Sequence, residues 1–334
     1  MIQLSVLDQS TISKGSRATE ALSQTVRLAQ EAERLGYHRF WMSEHHLESL
    51  AHSSPEIMIP HVAAHTSTIR IGSGGVMLPH YSAYKVAENF RLLEALYPNR
   101  IDLGIGRAPG GIPIATGALQ EYKHTNGDIF PQQVEDLIYY VTGSKDPNHR
   151  FPGLKAMPEI TTNPQLWVLG SSGGSAGLAA SHGLSYAFAQ FISGQDGSGV
   201  VQNYQKRFYG SALQPGPKSL VAFFFVCADT DEEAEWLAKS YDIQFLKVAK
   251  GERMEGIVSP EEAAKYRLSG FDQQLIEENR RKILIGSPRT IKEQILAWKE
   301  RYGSSEFMLA SMVYDFEAKL KGYQLLSEEF GLNS

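Results

Sequence analysis

The chain has one cysteine in 334 residues, Cys227, and it lies inside the apolar run Leu220–Ala228. A single thiol cannot build a disulfide framework or a cysteine metal site, and it points to a reducing compartment. Long apolar runs are also missing. Leu220–Ala228 is the longest, far short of the roughly 20 residues that a membrane-spanning helix needs. The opening segment MIQLSVLDQS has neither the basic start nor the apolar stretch of a secretory leader, so a cytoplasmic protein is expected. No excess of one charge appears either. The 32 Lys and Arg stand against 37 Asp and Glu, and a formal net charge of -5 gives no footing for nucleic acid or an anionic membrane surface. Internal repeats and low-complexity tracts are absent.

What the chain does have is a regular alternation of β-rich apolar segments and helical ones. Strands are predicted at Ile2–Leu7, Arg39–Ser43, Ile69–Met77, Ile101–Ile105, Leu166–Gly170, Leu184–Ala189, Leu220–Ala228 and Glu306–Ala310. Between them, apolar residues recur at spacings of three and four, as in Ala21, Leu22, Val26, Leu28, Ala29, Ala32 and Leu35, closed by Gly36. Val86, Phe90, Leu93 and Leu96 repeat the pattern, as do Val134, Leu137, Ile138 and Val141. Eight strand–helix units predict an α/β fold of the (β/α)₈ TIM-barrel kind rather than a doubly wound sheet, with residues 1–334 as one domain. Two segments exceed ordinary connections. Arg107–Asn126 is rich in Gly and Pro with little helical pattern. Asp229–Ile285 is charged, with amphipathic stretches at Glu232–Lys250 and Pro260–Lys282, and reads as a long insertion after strand seven. Both follow strands, so both belong to the carboxyl-end face of the barrel, either as cover for a site or as decoration.

The chemistry concentrates at the strand ends. Trp41-Met42-Ser43-Glu44-His45-His46 carries an apolar strand into a carboxylate and two imidazoles at the edge where such folds bind ligands. Strand three carries Gly72, Gly74 and Gly75, which fit either a bulge or the close approach of a flat aromatic ligand. After strand four, the glycines of Leu103-Gly104-Ile105-Gly106-Arg107 have the wrong spacing for a dinucleotide fingerprint. Arg107 itself can grip a phosphate or serve in a surface ion pair. Strand five runs through Gly170-Ser171-Ser172-Gly173-Gly174-Ser175 into a helix beginning near Ala176. Free backbone N–H groups, the helix dipole and serine hydroxyls converge there. They suit a phosphate, beyond what a simple cap needs. His45, His46, His52, His61 and His65 crowd one stretch but lack the spacing of a metal site, and no metal is expected.

In this order, these segments resemble the luciferase-like flavin-dependent monooxygenases, the family of bacterial luciferase and its non-luminescent relatives. The resemblance extends from Trp41–His46 through Arg70–Pro79, Arg100–Arg107 and Leu169–Ser172 to Ile285-Gly286-Ser287-Pro288 and Glu306–Leu309. It implies an FMN whose phosphate is held by Arg107 and by the Gly170, Ser171, Ser172 and Ser175 turn. It also implies a non-proline cis peptide at Gly74-Gly75 beside the flavin ring. His45 aligns with the family's catalytic histidine, His46 follows it, and Glu44 is expected to orient His45. Gly106 stands where bacterial luciferase carries a reactive cysteine, a departure that argues against light emission and opens the pocket. The implied activity is that of a two-component monooxygenase. Reduced FMN from a separate flavin reductase and O₂ would form a C4a-peroxide that oxidises a small organic substrate such as an aldehyde, a ketone or a sulfur compound. The alternatives on the same barrel are an F420-dependent dehydrogenase and a non-catalytic flavin-binding protein. The resemblance further implies a homodimer formed through helices near strands two and three.

Overall fold

The computed structural model describes residues 2–121, 129–252 and 255–333. The Tyr122–Asn126 end of the long Gly- and Pro-rich segment, and two residues of the insertion, lie outside the described residues. The described residues form nine strands: β1 (Gln3–Asp8), β2 (Arg39–Met42), β3 (Arg70–Met77), β4 (Ile101–Gly106), β5 (Gln165–Gly170), β6 (Ser185–Ala189), β7 (Ser219–Cys227), β8 (Ile283–Gly286) and β9 (Glu306–Ala310). Among the described residues, the helices are α1 (Ala18–Arg34), α2 (Pro55–Ala64), α3 (Ala83–Leu96), α4 (Pro113–Leu119), α5 (Phe130–Thr142), α6 (Gly173–Ser181) and α7 (Gln190–Ser193). They continue with α8 (Ser198–Arg207), α9 (Asp231–Ala249), α10 (Pro260–Ala263), α11 (Gly270–Arg280), α12 (Pro288–Tyr302) and α13 (Phe316–Phe330).

Strands β1 to β7 pair in chain order and in parallel, and β9 closes the circle between β7 and β1. The result is an eight-stranded parallel barrel of the (β/α)₈ kind. Strand β8 stands outside the predicted set. Phe224 pairs with both Ala310 of β9 and Ile283 of β8, so β8 extends the wall on the side that β6 leaves at Ala189. None of the described helices is long and apolar enough to cross a membrane.

Alternation along each strand sorts the side chains into two cores. Phe40, Met42, Val168, Phe223 and Phe307 pack outward under the helices. Leu7, Trp41, Trp167, Leu220, Phe224 and Met308 fill the barrel, with Trp41 and Trp167 edge to face at 5.4 Å. Below them lies a charged layer at the amino end. Arg39, fully buried, reaches Asp102 and Glu306 at 2.5 Å each, while Arg70 and the Trp41 indole also donate to Asp102. Burial works against the Asp102 carboxylate, but Arg39 and Arg70 outweigh it and hold its pKa below the ordinary value. The barrel is therefore plugged from beneath by ion pairs and aromatic rings.

Candidate active site

Past Met42 the chain leaves the barrel wall, with Ser43 and Glu44 buried and His45 and His46 half-buried. Glu44 is buried, and its carboxylate accepts three hydrogen bonds: from the Met77 backbone N–H at 2.8 Å, the Tyr81 hydroxyl at 2.7 Å and His46 Nε2 at 3.0 Å. Burial and the facing carboxylate push the Tyr81 hydroxyl far above its usual pKa, so it stays a donor. The expected orientation of His45 by Glu44 is thus corrected: the side chain that Glu44 holds is His46. Residues two apart on an extended segment share a face, and this spacing was the signal that pairs 44 with 46. Burial also lowers the His45 pKa, opposed by the Gly110 carbonyl and the Glu44 charge, which keeps that imidazole neutral at pH 7.

The segment after β4 folds back onto this cluster. His46 N donates to Gly110 O at 2.7 Å, and His46 forms an isolated bridge with Gly111. A Cβ on Gly111 would lie 2.9 Å from His46 Cβ, so the approach demands glycine. His80 Nε2 donates to Pro109 O at 2.8 Å and its Nδ1 accepts from Gln120 at 3.3 Å. Within this segment, Pro113–Leu119 is helical (α4), where little helical pattern was expected. None of its residues is buried, so it carries no apolar stripe for a sequence reading to find.

The Gly74–Gly75 peptide is cis. A Cβ on Gly75 would come within 2.7 Å of the Gly104 carbonyl, a backbone clash that demands glycine, while one on Gly74 would come within 2.7 Å of Leu7 Cδ1 and press on that side chain. Beside Gly106 the expected extra room is taken up by Met77, whose Cε would sit 2.9 Å from an added Cβ. Ser43 Oγ, on the inward side of β2 by alternation, is buried without a partner among the described residues.

The third part of the site is the start of α6. The helix begins at Gly173, three residues before the expected Ala176, and Ser172 occupies the cap position without a side-chain capping bond. Gly173 and Gly174 face open space, with no atom within 4 Å of where a Cβ would stand. Ser175 lies over Gly170, where a Cβ would approach Ser175 Oγ to 2.6 Å; glycine at 170 lets the helix come close to its strand. Ile105 pairs with Val168, so two residues further along Arg107 falls beside Gly170. Arg107 is exposed and has no ion pair or hydrogen bond among the described residues. Uncapped N–H groups, a helix dipole, serine hydroxyls and a free guanidinium are the donor set that a phosphate requires, and they fit the phosphate of a flavin nucleotide.

Over residues 2–305 the sequence matches the family model described as luciferase-like monooxygenase. The chain belongs to the luciferase-like monooxygenase family. It is 51% identical to the uncharacterized protein YwcH of Bacillus subtilis (strain 168) over 331 residues, 99% of each chain. It is 39% identical to that organism's N-acetyl-S-alkylcysteine monooxygenase over 332 residues, 98% of each. Among solved structures, apo-MsnO8 superposes with a TM-score of 0.90 at 35% identity, covering 99% of both chains. The fold extends to more distant proteins. One is the oxygenating constituent of 3,6-diketocamphane monooxygenase in complex with FMN (TM-score 0.70, 19% identity, 98% of each chain). Another is an F420-dependent secondary alcohol dehydrogenase (TM-score 0.69, 13% identity, 100% of this chain and 99% of that one).

In this luciferase-like monooxygenase the carboxyl ends of β2, β3, β4 and β5 carry all the sequence-predicted site residues. Glu44 and His46 touch through a hydrogen bond, and Ser175 packs on Gly170. Sequence reasoning missed Tyr81 and the Met77 N–H on Glu44, because they follow a strand distant in the chain. The only hint was Pro79, which ends β3 in a short 3₁₀ turn, Leu78–His80. His61 and His65, also singled out, face each other at 4.7 Å at the end of α2, with His65 Nδ1 donating to the His61 carbonyl.

Proposed function

We propose that this luciferase-like monooxygenase takes reduced FMN from a separate flavin reductase and uses it with O₂ to oxidise a small organic substrate at the mouth of the barrel. The observation that carries the reading is the uncapped start of α6, with Gly173 and Gly174 open and Arg107, at the end of the neighbouring strand β4, exposed and without a partner among the described residues. In the bound state Arg107 and the Gly170, Ser171, Ser172 and Ser175 turn would hold the phosphate. The Gly74-Gly75 backbone would lie against the ring, where neither residue has a side chain to intrude. Reduced flavin supplies the two electrons that activate O₂.

What the chain's own groups do is orient and exclude. Trp41, Trp167 and Phe224 close the barrel below the site to water. His45, neutral and partly buried, would hold or pass a proton next to the flavin. His46, held by Glu44, would do so toward the substrate. The Arg107 and Gly74-Gly75 segments favour FMN over the deazaflavin F420. A reduced cofactor and the lone buried Cys227 suit a cytoplasmic enzyme. We also propose a homodimer through α2 and α3, whose Ile57, Leu92 and Leu96 stand exposed. Ile57→Asp with Leu96→Asp should then sediment as a monomer.

Rapid mixing of protein loaded anaerobically with reduced FMN against oxygenated buffer tests the reading. A spectral phase between reduced and oxidised flavin that outlasts free-flavin reoxidation is the expected result. Reoxidation indistinguishable from free flavin, together with saturable binding of F420 but not FMN, would overturn it.

A further inference from the structure

A cavity of about 580 Å³ opens beside His46, lined by the apolar Leu47, Ile112 and Val248, by Ser49 and Gly251, and by the acidic residues Glu48 and Glu252 at its edge. The size is that of a small-molecule site. Its walls come from the β2 exit, the start of α4 and the end of α9, and Leu47, Ile112 and Val248 are all exposed apolar side chains there. His46 is the imidazole in this wall, and its protonation pattern is fixed from behind. Glu44 already accepts from Met77 N–H and Tyr81 O–H, and a carboxylate can only accept, so His46 Nε2 carries the proton. A neutral imidazole has one proton, which leaves Nδ1 with a bare lone pair. The neighbouring His80 offers nothing comparable, because Pro109 O and Gln120 occupy both of its nitrogens.

We infer that this cavity takes a substrate with a short apolar chain and one hydrogen-bond donor, an O–H, N–H or S–H group, which His46 Nδ1 reads. Tyr81 and Glu44 are positioning residues that choose the tautomer. The inference rests on the monooxygenase reading for what the bound molecule is used for, but the selectivity is a property of the flavin-free chain and is tested there.

Two measurements test it. Long-range ¹H–¹⁵N spectra of histidine-labelled protein, with His46 assigned by His46→Gln, should show Nε2 protonated and Nδ1 bare. Titration with hexan-1-ol and with 1-methoxypentane, which has the same number of heavy atoms but no donor, should show the alcohol binding about fivefold tighter, the worth of one net hydrogen bond. In Glu44→Gln the amide can accept from Met77 N–H and donate to His46 Nε2, which moves the His46 proton to Nδ1. The alcohol's advantage should then vanish or reverse. Ile112→Ser, at an exposed position that spares the fold, should weaken both probes by a similar factor. A bare Nε2 in the wild type, an ether that binds as tightly as the alcohol, or probes indifferent to both Ile112→Ser and His46→Gln would each overturn the inference. Because no flavin is present in these titrations, failure of the FMN reading in rapid mixing leaves their outcome unchanged, and the two can fail separately.

Discussion

Replacing Arg39 with methionine should unfold this barrel long before it harms flavin binding. The side chain is fully buried and donates to Glu306 through Nε and Nη2 at 2.5 and 3.2 Å and to Asp102 through Nη1 at 2.5 Å. Methionine keeps much of the volume but leaves two buried carboxylates that share only Arg70, Trp41 and Ser5 as remaining donors. Breaking one partner out of a buried ion pair costs about 3–5 kcal/mol, and the residual Arg70 contact places Arg39→Met toward the lower part of that range. The deficit should depend on pH. In the wild type the Asp102 pKa is depressed, so its contribution is fully present above the unfolded value of about 3.9 and is lost as pH falls through the folded value. In Arg39→Met burial prevails and the carboxyl takes a proton more readily, so the gap between variant and wild type should narrow as the solution is acidified. Urea titrations at pH 7 and pH 5 measure the gap, and FMN quenching at low temperature measures the site. A loss under about 1 kcal/mol at pH 7 would refute the reasoning. So would FMN binding abolished while the variant is still folded.

Arg107→Ala removes an exposed guanidinium that has no partner among the described residues and should weaken FMN by about 10- to 100-fold, the worth of one charge-assisted contact, with no change in urea midpoint. Gly173→Asp should hold or slightly raise stability, since a carboxylate in the first turn complements the dipole, while FMN affinity falls at least tenfold by repulsion of the phosphate. Burial lowers the pKa of both His45 and His52 in the fold, with Asp8 opposing it at His52. Their stability contribution is therefore present above the ordinary value of about 6.5 and is lost as pH falls toward the folded values. The double variant His45→Gln/His52→Gln should show a flatter stability profile between pH 7 and pH 5, and equal slopes for variant and wild type would contradict this assignment.

The barrel was legible because a parallel strand buried on both faces writes itself as a compact apolar run. Segments such as Leu166–Gly170 and Leu220–Ala228 are too short for a membrane-spanning helix and have the length and composition of a strand buried on both faces. Strand β8 was not legible: Ile283–Gly286 is four residues at the end of a charged segment, and among the described residues it pairs with the carboxyl-end half of β7 alone. The strand–turn–helix at Gly170–Ser175 could be read, with its helix start misplaced by three residues, because small residues after a strand end signal a tight turn into a helix. The partner of Glu44 could not be read, even though the alternation of 44, 45 and 46 was in plain view. Choosing between two adjacent imidazoles needs the position of Met77 and Tyr81, which only the β3 turn supplies. Tertiary contacts settled what local pattern left open.

The pairing of Cys227 with Gly286 bears on how such enzymes diverge. The insertion leaves β7 at Cys227 and returns into β8 at Ile283, whose partner Phe224 lies three residues back on β7, so its two ends are held close together whatever lies between them. Closing a loop on ends already held together adds little entropy cost as the loop lengthens, since that cost grows only with the logarithm of length. The segment bearing α9, α10 and α11 can thus be lengthened, trimmed or exchanged while the eight-stranded wall keeps its register. It contributes Val248 and Gly251 to the cavity beside His46. A graft cut at Cys227 and Ile283, which keeps β8 paired to β7, would then exchange that wall of the cavity as a cassette, with the Gly170–Ser175 turn left as it is.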